Sequence, residues 1–158
     1  MDDHDVMDRL ATLGLTLPEP PAPLAAYVPC VVDGGLAFVA GQIPHREGAV
    51  LHPGRLGEGV SVEDAAEGGR QAALQALAAL RGGLGGSFAR LRRIVQVSVF
   101  VAATPGFTEH PAVANGASQL LVDVLGDDGQ HARAAVGVAS LPLGSSVEVA
   151  LTASVDPA

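Results

Sequence analysis

Aromatic side chains are nearly missing from this chain. It has no tryptophan, one tyrosine and four phenylalanines, 3% of its 158 residues, yet 48% of the chain is apolar. Ala and Val supply much of that share. A core of such small residues suits close packing of helices on sheets, or of one subunit on another. Charge is also scarce, at 16%. Low charge with high apolar content excludes a disordered chain. Nine basic residues stand against 17 acidic ones, a formal net charge of −8. Nucleic acid is thereby excluded as a general partner, because phosphate binding needs clustered cations. A small acidic metabolite is not excluded, since one local arginine holds a carboxylate whatever the net charge.

The single cysteine, Cys30, excludes an intrachain disulfide, and its neighbours Val28 and Val32 mark it as a buried structural thiol. The five histidines, at 4, 45, 52, 110 and 131, form neither an HExxH motif nor a Cys/His pairing, so no metal site is expected. No apolar run approaches the length of a membrane span, and no membrane partner is expected. The opening MDDHDVMDRL lacks the basic region and apolar run of a signal peptide, which makes the cytoplasm the expected location. A chain of 158 residues suggests one domain with a sizeable core.

What is present divides into a short leading arm, 1–23, and a single domain, 24–158. Val6, Leu10 and Leu13 fall at helical spacing, and Gly14 is a natural stop. The four prolines of LPEPPAP (17–23) favour an extended, polyproline-like crossing. Residues 27–32 and 36–42 are β-prone runs around Asp33-Gly34-Gly35, a hairpin signal. Residues 44–60 lack periodicity and read as a loop.

Ser61 opens a helix with Ala65, Ala66, Gly69, Ala73, Ala76, Leu77, Leu80 and Leu84 on one stripe, ending in the glycines 82–86. Gly68 and Gly69 each weaken that helix by roughly 1 kcal/mol relative to Ala, so something is expected to pack closely there. Residues 92–102 form the strongest strand, with Val95, Val97, Val99 and Val101 on one face and Ile94, Gln96, Ser98 and Phe100 on the other. A second helix starts near Thr108, tolerates Pro111 in its first turn and stops at Gly126. Residues 131–155 read as a closing hairpin, two strands joined at Leu141-Pro142-Leu143-Gly144. The resulting class is α+β, in the order β-β-α-β-α-β-β, with two helices on one face of one sheet.

The closing segment carries the unusual chemistry. Arg133 stands on a bed of Ala135, Gly137 and Ala139, and Glu148 is the lone acid on the small-residue face of the last strand. Two further strings accompany them: Ala40-Gly41-Gln42-Ile43-Pro44, and Ala26-Tyr27-Val28-Pro29. Together with Ile94–Phe100 ahead of a helix, and 132–142 followed by Val147-Glu148-Val149, they resemble the Rid family, also called the YjgF or L-PSP endoribonuclease-like family. The resemblance covers about residues 24–155. The Pro-rich arm, the longer loop near 53–60 and Asn115-Gly116-Ala117-Ser118 are similar to a longer-chain branch of it.

That resemblance implies a chorismate-mutase-like fold with one mixed sheet, and a homotrimer with ligand clefts between subunits. It implies hydrolysis of reactive 2-imino or enamino acids to 2-keto acids and ammonia, without metal or organic cofactor. By position, Arg133 matches the arginine that binds the substrate carboxylate, and Glu148 the glutamate that places the attacking water. Tyr27 and Asn115 match a tyrosine and an asparagine of the cleft. Two positions depart: Ala40 replaces a serine, and Ala135 replaces the cysteine two residues after the arginine, where a backbone N–H remains for the ligand.

Imine hydrolysis needs an anchored carboxylate, a placed water and a proton carrier, and no nucleophilic side chain. Arg133 and Glu148 fit those tasks. A plainer reading stays open for each residue. Arg133 and Glu148 also fit an interface ion pair. Tyr27 also fits the edge of a core, and Asn115 a solvated helix position. His131, on the side of Arg133, fits a strand-end surface as well as the cleft. His45, Arg46, Glu47 and His52 read as loop solvation. Two functions therefore remain: an imine/enamine hydrolase, or a trimeric binder or sensor of small carboxylates whose cleft lost its chemistry at Ala40 and Ala135. A ribonuclease is disfavoured by the acidic chain and the missing basic–aromatic patch.

Overall fold

The computed structural model describes residues 2–19 and 26–157. The later part of the expected polyproline-like crossing, 20–23, lies outside the described residues. Helix α1 (Asp3–Thr12) is capped by the Asp2 carboxylate, which accepts from the His4 N–H. It buries Val6 and Leu10 in the same core as the sheet. Asp3 ties it down by accepting from the Arg81 guanidinium, 3.0 and 3.2 Å, and from the Phe88 N–H, 2.7 Å.

Strands β1 (Cys30–Asp33) and β2 (Leu36–Gln42) pair antiparallel through Gly34 and Gly35, whose φ values of 56° and 80° suit the tight turn. The region expected to be a loop holds two short ladders: β3 (His45–Arg46) with β4 (Ala49–Val50), and β5 (Arg55–Leu56) with β6 (Gly59–Val60). It is also bonded rather than merely solvated. Arg46 donates to Glu67 and Gln71, and His52 Nε2 lies 2.8 Å from Glu67. Gln71 and Gln75 both donate to the His45 carbonyl at 2.9 Å. These groups come from the following helix, so tertiary contact supplies the order that periodicity did not signal.

Helix α2 (Val62–Gly83) starts at Ser61, whose hydroxyl accepts from the Asp64 N–H. Strand β7 (Leu91–Ala102), helix α3 (His110–Leu125), strand β8 (Ala132–Val138) and strand β9 (Val147–Val155) follow. The sheet runs β1-β2-β9-β7-β8, with β8 parallel to β7 and the other pairings antiparallel. It is a mixed sheet, as expected, with α2 and α3 on one face.

Two expectations are corrected here. The segment 131–155 is not a hairpin, because β7 lies between β8 and β9. The α3 crossover returns the chain parallel to β7 on one edge. That occupies the edge, and β9 takes the other one, where β2 supplies a second partner. The two faces of β7 also differ from simple alternation. A register shift opposite Ala153 and Thr152 inserts one residue, so Ile94 joins Val97, Val99 and Val101 in the core while Val95 is 40% exposed.

The glycines of α2 do mark close packing. A Cβ at Gly69 would lie 3.3 Å from the Val113 carbonyl of α3, and one at Gly68 would lie 3.1 Å from Val147 of β9. On the facing helix, a Cβ at Gly116 would overlap the backbone of Ala66. Gly116→Ala should therefore lower stability by about 1–3 kcal/mol in chemical denaturation. On an open helix the same change would gain roughly 1 kcal/mol.

Candidate functional site

Two groups of polar residues stand out, and a single chain holds them apart. The first lies on the seam between β8 and α3. Arg133 pairs in register with Val97, a buried residue of the helix-covered face, so its side chain leaves on that side of the edge strand. Its Nη1 donates to Asn115 Oδ1 at 2.9 Å and to Ser118 Oγ at 3.1 Å. Asn115 and Ser118 are three apart on α3 and share a face. Ser118 Oγ is also 3.0 Å from His131 Nε2, and His131 Nδ1 is 2.6 Å from the Gly129 carbonyl. Ala135 shares the parity of Arg133 and packs partly on the core.

The second group surrounds Glu148. Its register partner is Phe100, on the face that the helices leave open. The carboxyl folds over Gly41, where any Cβ would collide with it, so the glycine makes room for the acid. A cavity of about 740 Å3 opens beside it, lined among others by Tyr27, Gly41, Gln42, Gln75 and Glu148. Burial raises the Glu148 pKa above its ordinary value, and among the described residues no cation opposes that shift. Ala40 sits at the irregularity of β2 between Val39 and Gln42; its carbonyl accepts from Gln42 Nε2 at 3.0 Å, and its side chain is not among those lining the cavity.

The expected residues thus fall into two half-sets. Arg133, Asn115 and Ala135 share the β8/α3 seam; Tyr27 and Glu148 share the cavity, with Ala40 close by. Within one chain Arg133 and Glu148 leave opposite faces of the sheet and do not form an ion pair. Sequence reasoning did not find Ser118 as a partner of both Arg133 and His131. The spacing of Asn115 and Ser118 by three, and of His131 and Arg133 by two, was the available signal. It also missed Gln71 and Gln75, which are distant in sequence from the strand they brace.

The family profile described as "YjgF/chorismate mutase-like, putative endoribonuclease" matches residues 7–155. Protein TCP17 of Trypanosoma cruzi is 41% identical over 145 residues, 91% of this chain and 90% of that protein. The crystal structure of Atu1372 from Agrobacterium tumefaciens superposes with a TM-score of 0.91 at 40% identity, covering 98% of this chain and 94% of that one. A protein of Shewanella oneidensis MR-1 carrying the same endoribonuclease label gives 0.89 at 32% identity, over 94% and 98% of the two chains. The chain belongs to the YjgF/chorismate mutase-like family and has its fold. Among the described residues no helix is long and apolar enough to cross a membrane.

Glu148 yields a prediction about stability. Its folded pKa lies above the ordinary 4.5, so the folded protein keeps the proton to higher pH than the unfolded chain does. Stability therefore falls as pH rises from about 4.5 through the folded pKa, and the loss is complete above it. Glu148→Gln removes that penalty. In thermal scans the variant should melt above the wild type at pH 8, and the gap should close as pH is lowered below 4.5.

Proposed function

We propose that the protein is a hydrolytic deaminase of reactive 2-imino and enamino acids, releasing 2-keto acids and ammonia at sites shared between subunits of a homotrimer. The observation that carries this reading is the Glu148 carboxyl: half-buried, without a cationic partner among the described residues, and held over Gly41 in the lining of a cavity. A carboxyl whose pKa burial raises holds a proton more readily than an ordinary one, as a group that takes up and returns a proton must. Arg133 complements it with an exposed guanidinium already oriented by Asn115 and Ser118.

The chemistry balances with these groups alone. Arg133 holds the substrate carboxylate through charge-assisted hydrogen bonds. Glu148 accepts a proton from water as its oxygen bonds to the imine carbon and passes that proton to the nitrogen, giving a carbinolamine. The same carboxylate then takes the hydroxyl proton and delivers it to nitrogen as the C=O bond forms and the C–N bond breaks, so that ammonia and the 2-keto acid leave. For an enamine, moving a proton from nitrogen to the β-carbon first yields the imine. The reading needs no metal or organic cofactor.

Because Arg133 and Glu148 diverge within one chain, the site is proposed to combine Arg133, Asn115 and Ala135 of one subunit with Tyr27, Ala40 and Glu148 of the next. The open face of the sheet supports such an assembly. Val31, Phe38 and Val136 are exposed on it, 47–48% each, a costly arrangement for an isolated chain. Ala135 and Ala40 favour a second reading, a binder or sensor of small carboxylates, since neither side chain offers a hydroxyl or thiol. Saturable keto-acid binding without turnover would single that reading out.

The wild type should release ammonia and pyruvate from freshly generated 2-aminoacrylate. Arg133→Ala should lower kcat/KM roughly tenfold to a hundredfold, and Glu148→Gln should lower kcat by about a hundredfold or more. No wild-type turnover, or undiminished turnover in both variants, would sink the enzyme reading. Light scattering should give a trimer at micromolar concentration. Refolding Arg133→Ala together with Glu148→Gln should restore activity at about one site in four, because mixed interfaces regain both groups. A monomer, or no restoration, contradicts the shared site.

A further inference from the structure

We infer that Ser118 and His131 are positioning residues for Arg133. They form a directed hydrogen-bond chain that holds the guanidinium for a ligand carboxylate. The inference deepens the proposed function and rests on Arg133 being the carboxylate anchor.

The direction of the chain follows from its end. The Gly129 carbonyl can only accept, so His131 Nδ1, 2.6 Å away, carries the proton. In the neutral ring Nε2 is then an acceptor, and the Ser118 hydroxyl 3.0 Å from it donates. With its hydrogen spent on His131, Ser118 Oγ presents lone pairs to Arg133 Nη1 at 3.1 Å. Asn115 Oδ1 takes the other bond to the same nitrogen, at 2.9 Å. Both bonds use Nη1, which leaves Nε and Nη2 for a carboxylate. Without His131 the serine hydroxyl could turn its hydrogen toward the arginine.

Each member stands on a rigid element. Asn115 and Ser118 are on one face of α3, and His131 and Arg133 are two apart where β8 begins. The Gly129 carbonyl is fixed because Gly129 is buried in the 3-10 turn Gly126–Gly129, so close to Leu121 that a Cβ there would collide with its carbonyl. An exposed arginine otherwise samples many rotamers, and ordering it on binding costs affinity.

The test titrates pyruvate into the full chain by calorimetry. Ser118→Ala and His131→Leu should each weaken binding about tenfold, while Ser118→Thr, which keeps the hydroxyl, should stay within about twofold. Nitrogen NMR of the Arg133 side chain gives an independent readout. Hindered guanidinium rotation should keep its two Nη signals apart in the wild type and let them merge in Ser118→Ala; a role in folding alone would leave them unchanged. Wild-type affinity in Ser118→Ala and His131→Leu, with binding lost in Arg133→Ala, would overturn the inference and leave the proposed function standing. Absent wild-type binding, or full binding by Arg133→Ala, would overturn the proposed function and this inference with it. Should His131→Leu fail to fold, the Ser118→Ala and Ser118→Thr pair decides alone.

Discussion

The pairing of β9 with β2 on one side and β7 on the other governs where every polar group of this protein can go. A strand held on both edges cannot shift register without moving its whole apolar row out of the core. Val147, Val149, Leu151, Ala153 and Val155 all face the helices and are buried. Glu148 is therefore committed to the open face, beside Gly41, by the same pairing that buries its neighbours. β8, lying beyond β7, carries Arg133 on the opposite parity and so on the helix side. The separation of the two charges follows from sheet register, and it is the reason a second subunit enters the functional proposal.

The helix layer explains the odd composition. With almost no aromatic bulk available, density is reached by bringing backbones together. Gly69 meets Val113 and Ala117, Gly116 meets Ala66, and Gly68 meets Val147. This close approach sets the spacing between α2 and α3, the helix that carries Asn115 and Ser118. The small residues of the helices and the hydrogen bonds of the seam are thus two sides of one packing arrangement.

Electrostatics divides the two half-sets further. Arg133 is exposed and bonded to neutral acceptors, so its charge stays available. Glu148 is half-buried and its pKa is raised by burial alone. Asp3, bonded to Arg81 and to a backbone N–H, is lowered instead, and serves structure. Acids of the same chain are thereby sorted by environment into a half-buried carboxyl, proposed as the proton carrier, and a fastening.

Much of this was legible in the residues themselves. Period-two alternation revealed β9, helical spacing revealed α2 and α3, and the glycine pair in α2 signalled close packing, because each is a local consequence of what a residue can bury or tolerate. Arg133 and Glu148 stood out by contrast with their small neighbours. Other features depended on segments far apart in the chain. Which strand β9 pairs with, the bulge that exchanges Val95 for Ile94, the ladders bonded to α2, and the bridge from Ser118 to Arg133 and His131 all need distant partners. Local pattern marked the long helices and strands, most of the core and the two charges. That those charges leave opposite faces was decided by register, which is settled between strands rather than within one.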